Sequence, residues 1–349
     1  MQGVNPNTLF KELFVGEHAT SWRVFAGILA AIVVLSLIAA EGNMGTFSTT
    51  ILNGMLRAML LFLVAAGLSL IFGLMDVLNF AQGAFFMIGA YVAYDIQHPN
   101  NGQISFGESI ADPNARFLLG IVVALIIAAL LGAFLERVLL RPLYKRPLFQ
   151  LVLTFGVSII MLEGIKSVWS TTPYQWVNTL AVQDAQFDIF GRQFSLYRLF
   201  IIAMGFLLII GISLLLRRTR IGIIIRAGVE NAEMVSALGI NVRAVFTLVF
   251  TIGCAIAAFG GAVAAPFLGA TISMGNTYLL ASIAVIVLGG LGSYEGTAVG
   301  SILIGMAWVM MEQLTVAYNI GTVWSSLTPM VMLALVLLLR PSGLFGEER

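Results

Sequence analysis

The chain has 349 residues, of which 59% are hydrophobic and only 10% charged. A soluble domain carries about 25% charged residues, so this composition belongs to a chain that lives in a bilayer. Lysine and arginine number 18 against 17 acids, which leaves no basic excess for nucleic acid.

The single cysteine, Cys254, excludes an internal disulfide and reads as a small packing residue in an apolar run. The isolated His18 and His98 form no histidine-rich metal site. No GxxxxGK followed by Ser or Thr, no GxSxG and no HExxH occurs. The chain therefore carries no signature of its own for ATP hydrolysis or for these hydrolytic chemistries.

Met1–Ser21 is polar and mixed, and Trp22–Ala40 is an apolar run of spanning length. The long polar segment before that run argues against a cleaved signal peptide. Ile51–Phe72 spans next and contains Arg57, which a span tolerates only when it snorkels or finds a partner. Gly73–Gly89 (GLMDVLNFAQGAFFMIG) then interrupts the hydrophobic pattern. Asp76, Asn79 and Gln82 cluster there, followed by Gly83 and a second apolar run through Tyr94. This stretch reads either as an interfacial turn or as a discontinuous helix pair whose polar break faces a cavity.

A polar loop at Asp95–Arg116 leads into a span at Phe117–Leu135 and a basic turn with Arg137, Arg141, Lys145 and Arg146. Leu148–Trp169 spans and holds Glu163 and Lys166 at i, i+3, an expected ion pair. Ser170–Ser195 reads as a polar loop, and Tyr197–Leu216 as a span.

Arg217–Arg243 is the longest polar interval on the basic side. Within it the pattern predicts a surface helix over Arg226–Leu238. Arg226, Glu230 and Glu233 share one face, Ala227, Met234 and Leu238 another, and Gly239 stands at a helix C-cap position. Residues 217–243 read either as a basic loop that sets topology or as a docking helix for a soluble partner; the amphipathic order favours the latter. Its candidate contact residues are Arg226, Glu230, Asn231, Glu233, Met234, Leu238 and Gly239.

Val245–Leu268 spans and carries Gly253, Ala257, Gly261 and Ala265 four residues apart, a stripe that lets another helix approach closely. Pro266 marks its end or a kink. Tyr278–Leu291 is short for a span and runs into a second glycine-rich break. That break holds Gly289, Gly290, Gly292, Glu295 and Gly296, and apolar runs Thr297–Gln313 and Trp324–Leu339 follow. Two such breaks in different halves suggest an internal repeat with a pathway between the halves. The candidate pathway or break residues are Asp76, Asn79, Gln82, Gly83, Gly289, Gly290, Gly292, Glu295 and Gly296.

The expected fold is all-α and polytopic, with about 8–10 transmembrane helices and glycine-rich breaks. Ten crossings with both termini inside place thirteen of the 18 basic residues in inside segments, including Lys11 and Arg349. Only Arg116, Arg192 and Arg198 fall outside, in keeping with the positive-inside rule.

These residues resemble a known family. GLSLIFGLMDVLNFAQGAFFMIGAYVA at Gly67–Ala93 is similar to the first signature of the bacterial branched-chain amino acid permeases, the inner-membrane subunits of ATP-binding cassette importers. RAGVENAEMVSALGI at Arg226–Ile240 resembles their cytoplasmic coupling segment. VLGGLGSYEGTAVGSILIG at Val287–Gly305 and RPSGLFG at Arg340–Gly346 resemble their C-terminal signature and ending. Two positions depart from the pattern: Ala84 replaces an acidic residue often found there, and Gln82 stands where histidine is common.

The resemblance implies a permease domain at 51–346 preceded by an extension at 1–50 with an extra span. It implies a transport subunit rather than an enzyme, with no cofactor on this chain and ATP and Mg on two partner ATPase subunits. It also implies a second related permease, an extracytoplasmic substrate-binding protein and a multi-pass location in the bacterial inner membrane. A urea or amide permease is the alternative within that class. A secondary transporter would want relay charges deep in the spans, whereas intramembrane charge is limited to Arg57, Glu163, Lys166 and Glu312.

Overall fold

The computed structural model describes residues 19–99, 110–177 and 180–346, apart from the side chains at 19–20, 184 and 229–233. Lys11, His18 and Arg349 lie outside the described residues. The chain is helical throughout its apolar runs. In order these are α1 (Ala19–Ala39), α2 (Met44–Met75), α3 (Gln82–Gln97), α4 (Pro113–Phe134) and α5 (Pro147–Trp169). There follow a four-residue α6 (Ala181–Asp184), a hairpin of β1 (Gln186–Ile189) and β2 (Arg192–Ser195), and α7 (Leu196–Arg218). The series closes with α8 (Arg220–Ala237), α9 (Val242–Leu268), α10 (Met274–Gly289), α11 (Tyr294–Ala317) and α12 (Val323–Leu339).

Among the described residues seven helices are long and apolar enough to cross a membrane, and α10 and α12 are shorter apolar helices. The 16-residue α3 is a further helix, buried within the bundle.

The helices sort into a core and a shell. Every residue of α3 is buried, and it is packed by α4, α9 and α10. Helix α2 pairs extensively with α11 and α9. By contrast α5 exposes Val152, Phe155 and Ile160, and α7 exposes Leu207, Ile210 and Leu214. Hydrocarbon-facing helices need no polar outer face, which is why their apolar residues go all the way round.

Small residues set the core spacing. A Cβ on Gly261 would sit 1.8 Å from the Phe86 carbonyl oxygen, and one on Gly89 would sit 2.0 Å from that of Ala258. The stripe read from the sequence thus seats α9 against α3. Gly253, at the start of the stripe, lies against Ile71 and Gly67 of α2.

Several boundaries differ from the sequence expectation. Helix α2 runs to 32 residues, starting seven residues before the apolar run at Ile51. Asn43 caps it, accepting from Thr46 N at 3.0 Å. Thr49 and Thr50 turn their hydroxyls back onto helix carbonyls at 2.9 and 2.8 Å, so the polar turn costs the helix no unsatisfied groups.

The loop expected at Ser170–Ser195 contains the β1–β2 hairpin, with Phe190 and Gly191 at φ 50° and 80° in its turn. Positive φ at both central residues is the two-residue hairpin geometry, and Phe-Gly is a weaker signal for it than Asn-Gly.

The short stretch around Tyr278–Leu291 passes between the two ends of the bundle. Ala270 pairs with Tyr174 at the end that carries the hairpin. Leu288 and Gly289 accept from Leu344 and Phe345 at the opposite, arginine-rich end. The extra N-terminal helix is part of the same bundle: α1 packs on α11, and Trp22 meets Phe345 edge-on with centroids 5.4 Å apart.

At the hairpin end His98 is buried, stacked 4.4 Å from Tyr94, with its Nδ1 3.1 Å from the Tyr94 carbonyl. Burial holds its pKa below the usual value. A lowered folded-state pKa stabilises the fold above the unfolded pKa of about 6.5, and that stability is lost as pH falls through the folded value. Melting temperature in nanodiscs should therefore fall on acidification from about pH 7.5 to about pH 5, and His98→Phe should flatten that dependence.

A second test addresses packing. Gly261→Val should lower the melting temperature or abolish recovery of folded protein, since overpacking against backbone costs about 1–3 kcal/mol or more. Gly156→Ala, at a site with nothing within 4 Å, should leave both unchanged.

Candidate functional site

Three structures carry the residues singled out by the sequence: the break between α2 and α3, the turn between α10 and α11, and helix α8.

The first break is embedded in protein. Helix α2 ends with Asp76 in the left-handed region at φ 54°, its N–H bonded to the Phe72 carbonyl. Helix α3 begins at Gln82, close to Gly67 and Gly253. Gly67 lies about 12 Å back along α2 from its last residue, at 1.5 Å per residue, so the chain turns back into the bundle before α3 starts. An interrupted helix at that depth has no water to satisfy it, and neighbouring side chains do so instead. Asn79 and Gln82 are both 0% exposed. Asn79 accepts from Ala81 N at 3.1 Å and donates to Gln82 Oε1 at 3.2 Å. Gln82 donates to the Gly253 carbonyl on α9 at 2.9 Å. Thr154 of α5 accepts from Phe80 N at 3.3 Å. Asp76, alone of the three predicted polar residues, is exposed. A Cβ on Gly83 would lie 2.2 Å from the Gly275 carbonyl oxygen, so the first turns of α3 and α10 touch backbone to backbone.

The glycine turn is a second close contact. Gly289 and Gly296 face one another across the α10–α11 turn, each with the other's carbonyl oxygen within 2.3 Å of a would-be Cβ. Gly290 at φ 106° packs on Gly346, and Gly292 at φ 81° packs on Gly73 of α2. Ser293 caps α11, accepting from Gly296 N at 3.0 Å. Glu295 pairs with Arg217 at the end of α7. The two predicted breaks therefore meet at the arginine-rich end through Gly73 and Gly292.

Helix α8 starts six residues earlier than the sequence pattern places it. Thr219 supplies the cap, accepting from Gly222 N at 3.1 Å, and Arg217 and Arg218 complete α7. Its other end is as expected: Gly239 at φ 83° donates to Ser236 O, and Ile240 donates to Val235 O, a Schellman motif. Gly222, Ile225, Gly228 and Val235 are buried, and a Cβ on Gly228 would lie 3.1 Å from Leu74 of α2. The outward face shows Arg226 with Met234 63% and Leu238 74% exposed. The side chains of Glu230, Asn231 and Glu233 lie outside the described residues, although their backbone belongs to the helix.

One buried polar contact beside these elements was not legible in the sequence. Glu136, in a turn of π-helix at Leu135–Leu140 that continues α4, is 0% exposed. It accepts from Tyr144 and, at 2.5 Å, from Thr247 of α9, with Arg141 Nε 3.7 Å away. Burial and the bond to Glu136 push the Tyr144 phenol well above its ordinary pKa. The basic turn is thus anchored to α9 by a buried acid. Its one visible signal was a lone glutamate at the start of an arginine-rich turn.

A sequence profile of the family described as "Branched-chain amino acid transport system / permease component" matches residues 50–339. The chain belongs to this permease family. It is 29% identical over 318 residues to the high-affinity branched-chain amino acid transport system permease protein LivH of Escherichia coli K12, covering 86% of this chain and 96% of that protein. It is 28% identical over 306 residues to the permease protein BraD of Pseudomonas aeruginosa, covering 85% and 95%. It is 27% identical over 299 residues to a probable LivH of Methanocaldococcus jannaschii, covering 83% and 89%. No solved structure matches the chain. Like its family, the chain is a transport component and not an enzyme.

The break makes a direct prediction. Gln82→Leu leaves Asn79 and the Gly253 carbonyl without their partner, at a cost of about 1–3 kcal/mol. Its melting temperature in nanodiscs should drop clearly, whereas Asp76→Asn, at an exposed site, should not change it.

Proposed function

We propose that this chain is the membrane-spanning permease subunit of an ATP-binding cassette importer for branched-chain and other hydrophobic amino acids. In this reading the arginine-rich end is cytoplasmic, both termini with it, and the bilayer is the bacterial inner membrane. The distribution of Arg141, Arg146, Arg217, Arg218, Arg220, Arg226 and Arg243 along one end supports that orientation. Residues 1–50 act as an extension whose helix α1 buttresses α11.

The single observation that carries the coupling role is the exposed apolar face of α8. A topology loop needs only dispersed cations, whereas Met234 and Leu238 stand out of the protein on a helix closed by a Schellman turn. Such a face suits a groove on a partner protein. Two ATPase subunits provide that groove and the ATP and Mg chemistry, one of them engaging this chain and the other a second, related permease. An extracytoplasmic binding protein delivers the substrate. Motion of α8 reaches the spans through Gly228 on Leu74 and through Arg217 on Glu295. ATP binding can bias alternating access only by gripping α8 unequally in its two states.

The test uses the complete complex reconstituted in liposomes. Leucine presented on its binding protein should stimulate ATP hydrolysis. Leu238→Asp and the charge reversal Glu230→Lys with Glu233→Lys should reduce co-purification of the ATPase and cut stimulation roughly tenfold or more. Undiminished association and uptake would remove the coupling role. Stimulation by urea and not by leucine would replace the substrate.

A further inference from the structure

At the hairpin end, α2, β2, α7, α9 and α11 line a half-open cavity of about 540 Å³. That lies within the range of small-molecule sites, about 300–1,000 Å³. Its wall divides by chemistry. Leu56, Leu60, Phe267 and Val309 supply an apolar side, and Asn53, Arg57, Arg192, Arg198 and Glu312 a charged one.

The charges are unevenly matched. Arg57 is paired with Glu312 at 2.8 Å and lies over the Trp308 ring at 4.7 Å. Arg198 has no carboxylate partner among the described residues. It donates to the neutral Asn53 Oδ1 at 2.8 Å and stands over Phe194 and Phe267, at 5.4 and 5.2 Å. A part-buried guanidinium held by one amide and two aromatic faces keeps donors and charge to spare for an anion. Glu312 is the one acid in the wall and remains 40% exposed while paired.

We propose that this cavity receives an α-amino acid on its way through the chain, held by its carboxylate at Arg198, its ammonium at Glu312 and its hydrocarbon side chain on the apolar wall. The inference rests on the proposed function, since the cavity faces outward only if the arginine-rich end is cytoplasmic. The site explains a preference for hydrophobic zwitterions within this chain itself. Both charges of the solute are met, whereas urea has neither and would leave Arg198 without a carboxylate partner. Arg57 keeps Trp308 as a partner when Glu312 turns to the solute.

The experiment separates charge from scaffolding. The complete complex in liposomes is supplied with leucine on its binding protein, and both leucine uptake and ATP hydrolysis are measured. Arg198→Gln keeps a donor for Asn53 but removes the charge, and should lower leucine uptake roughly tenfold or more. Arg198→Lys keeps the charge and should retain most of the uptake. Asn53→Asp leaves Arg198 in place but gives it an internal carboxylate. It should lower uptake as far as Arg198→Gln, while docking of the binding protein and its stimulation of ATP hydrolysis persist, so that more ATP is consumed per leucine imported. Glu312→Gln should act in the same direction.

Wild-type uptake by Asn53→Asp overturns the site, as does a loss in Arg198→Lys equal to that in Arg198→Gln, and in both cases leucine import by the unaltered complex leaves the functional reading standing. Failure of the unaltered complex to import leucine while it imports another solute overturns the functional reading and this site with it.

Discussion

A helix interrupted inside a bilayer must have its freed backbone groups satisfied by protein, and the rest of this structure depends on how that is done between α2 and α3. Asn79, Gln82 and Thr154 close the interruption by bonding to one another, to the linking backbone and to the Gly253 carbonyl of α9. That last bond requires α9 to come within hydrogen-bond reach of α3, which requires glycine at Gly253, Gly261 and Gly89. The polar break and the small-residue stripe are therefore one device. The stripe allows the approach, and the approach supplies the acceptor. Cys254 belongs to it as well, buried beside Asn79 with Gly132 of α4 against it.

The same economy governs the arginine-rich end. Gly73, Gly292, Gly290 and Gly346 bring the ends of α2, α10 and the C-terminal tail together at backbone contact. Arg217–Glu295 ties the base of α8 to the start of α11. On the other side, Glu136 ties the turn after α4 to the start of α9. Helix α8 is thus mounted between two spans that are each fixed to the core. It is a surface helix whose flanking spans are tied to their neighbours at both ends. The opposite end is built differently. A hairpin, an aromatic cluster around Tyr94, His98 and Trp176, and a charged cavity occupy it. One end carries an exposed apolar helix face and the other a pocket lined by charged side chains.

Much of this was determined by the sequence alone. Hydrophobic runs set the number and order of the membrane helices, because an apolar segment of that length has no other stable environment. Family membership was legible in three ordered motifs. The i, i+3 spacing of Glu163 and Lys166 specified their ion pair, found at 2.7 Å, and Gly239 specified the end of α8, because such local features need no knowledge of distant chain. What the sequence could not decide was every pairing across the fold. Arg57 demanded a partner, but only the packing of α2 on α11 made that partner Glu312. Asn79 and Gln82 marked a break, but whether they faced a cavity or the interior depended on where α9 lay. The hairpin, the early start of α8 and the burial of Glu136 were decided by neighbours more than a hundred residues away or by weak local signals. Local order follows from spacing along the chain, whereas the satisfaction of polar groups in a membrane follows from which helices meet, and that only the tertiary structure decides.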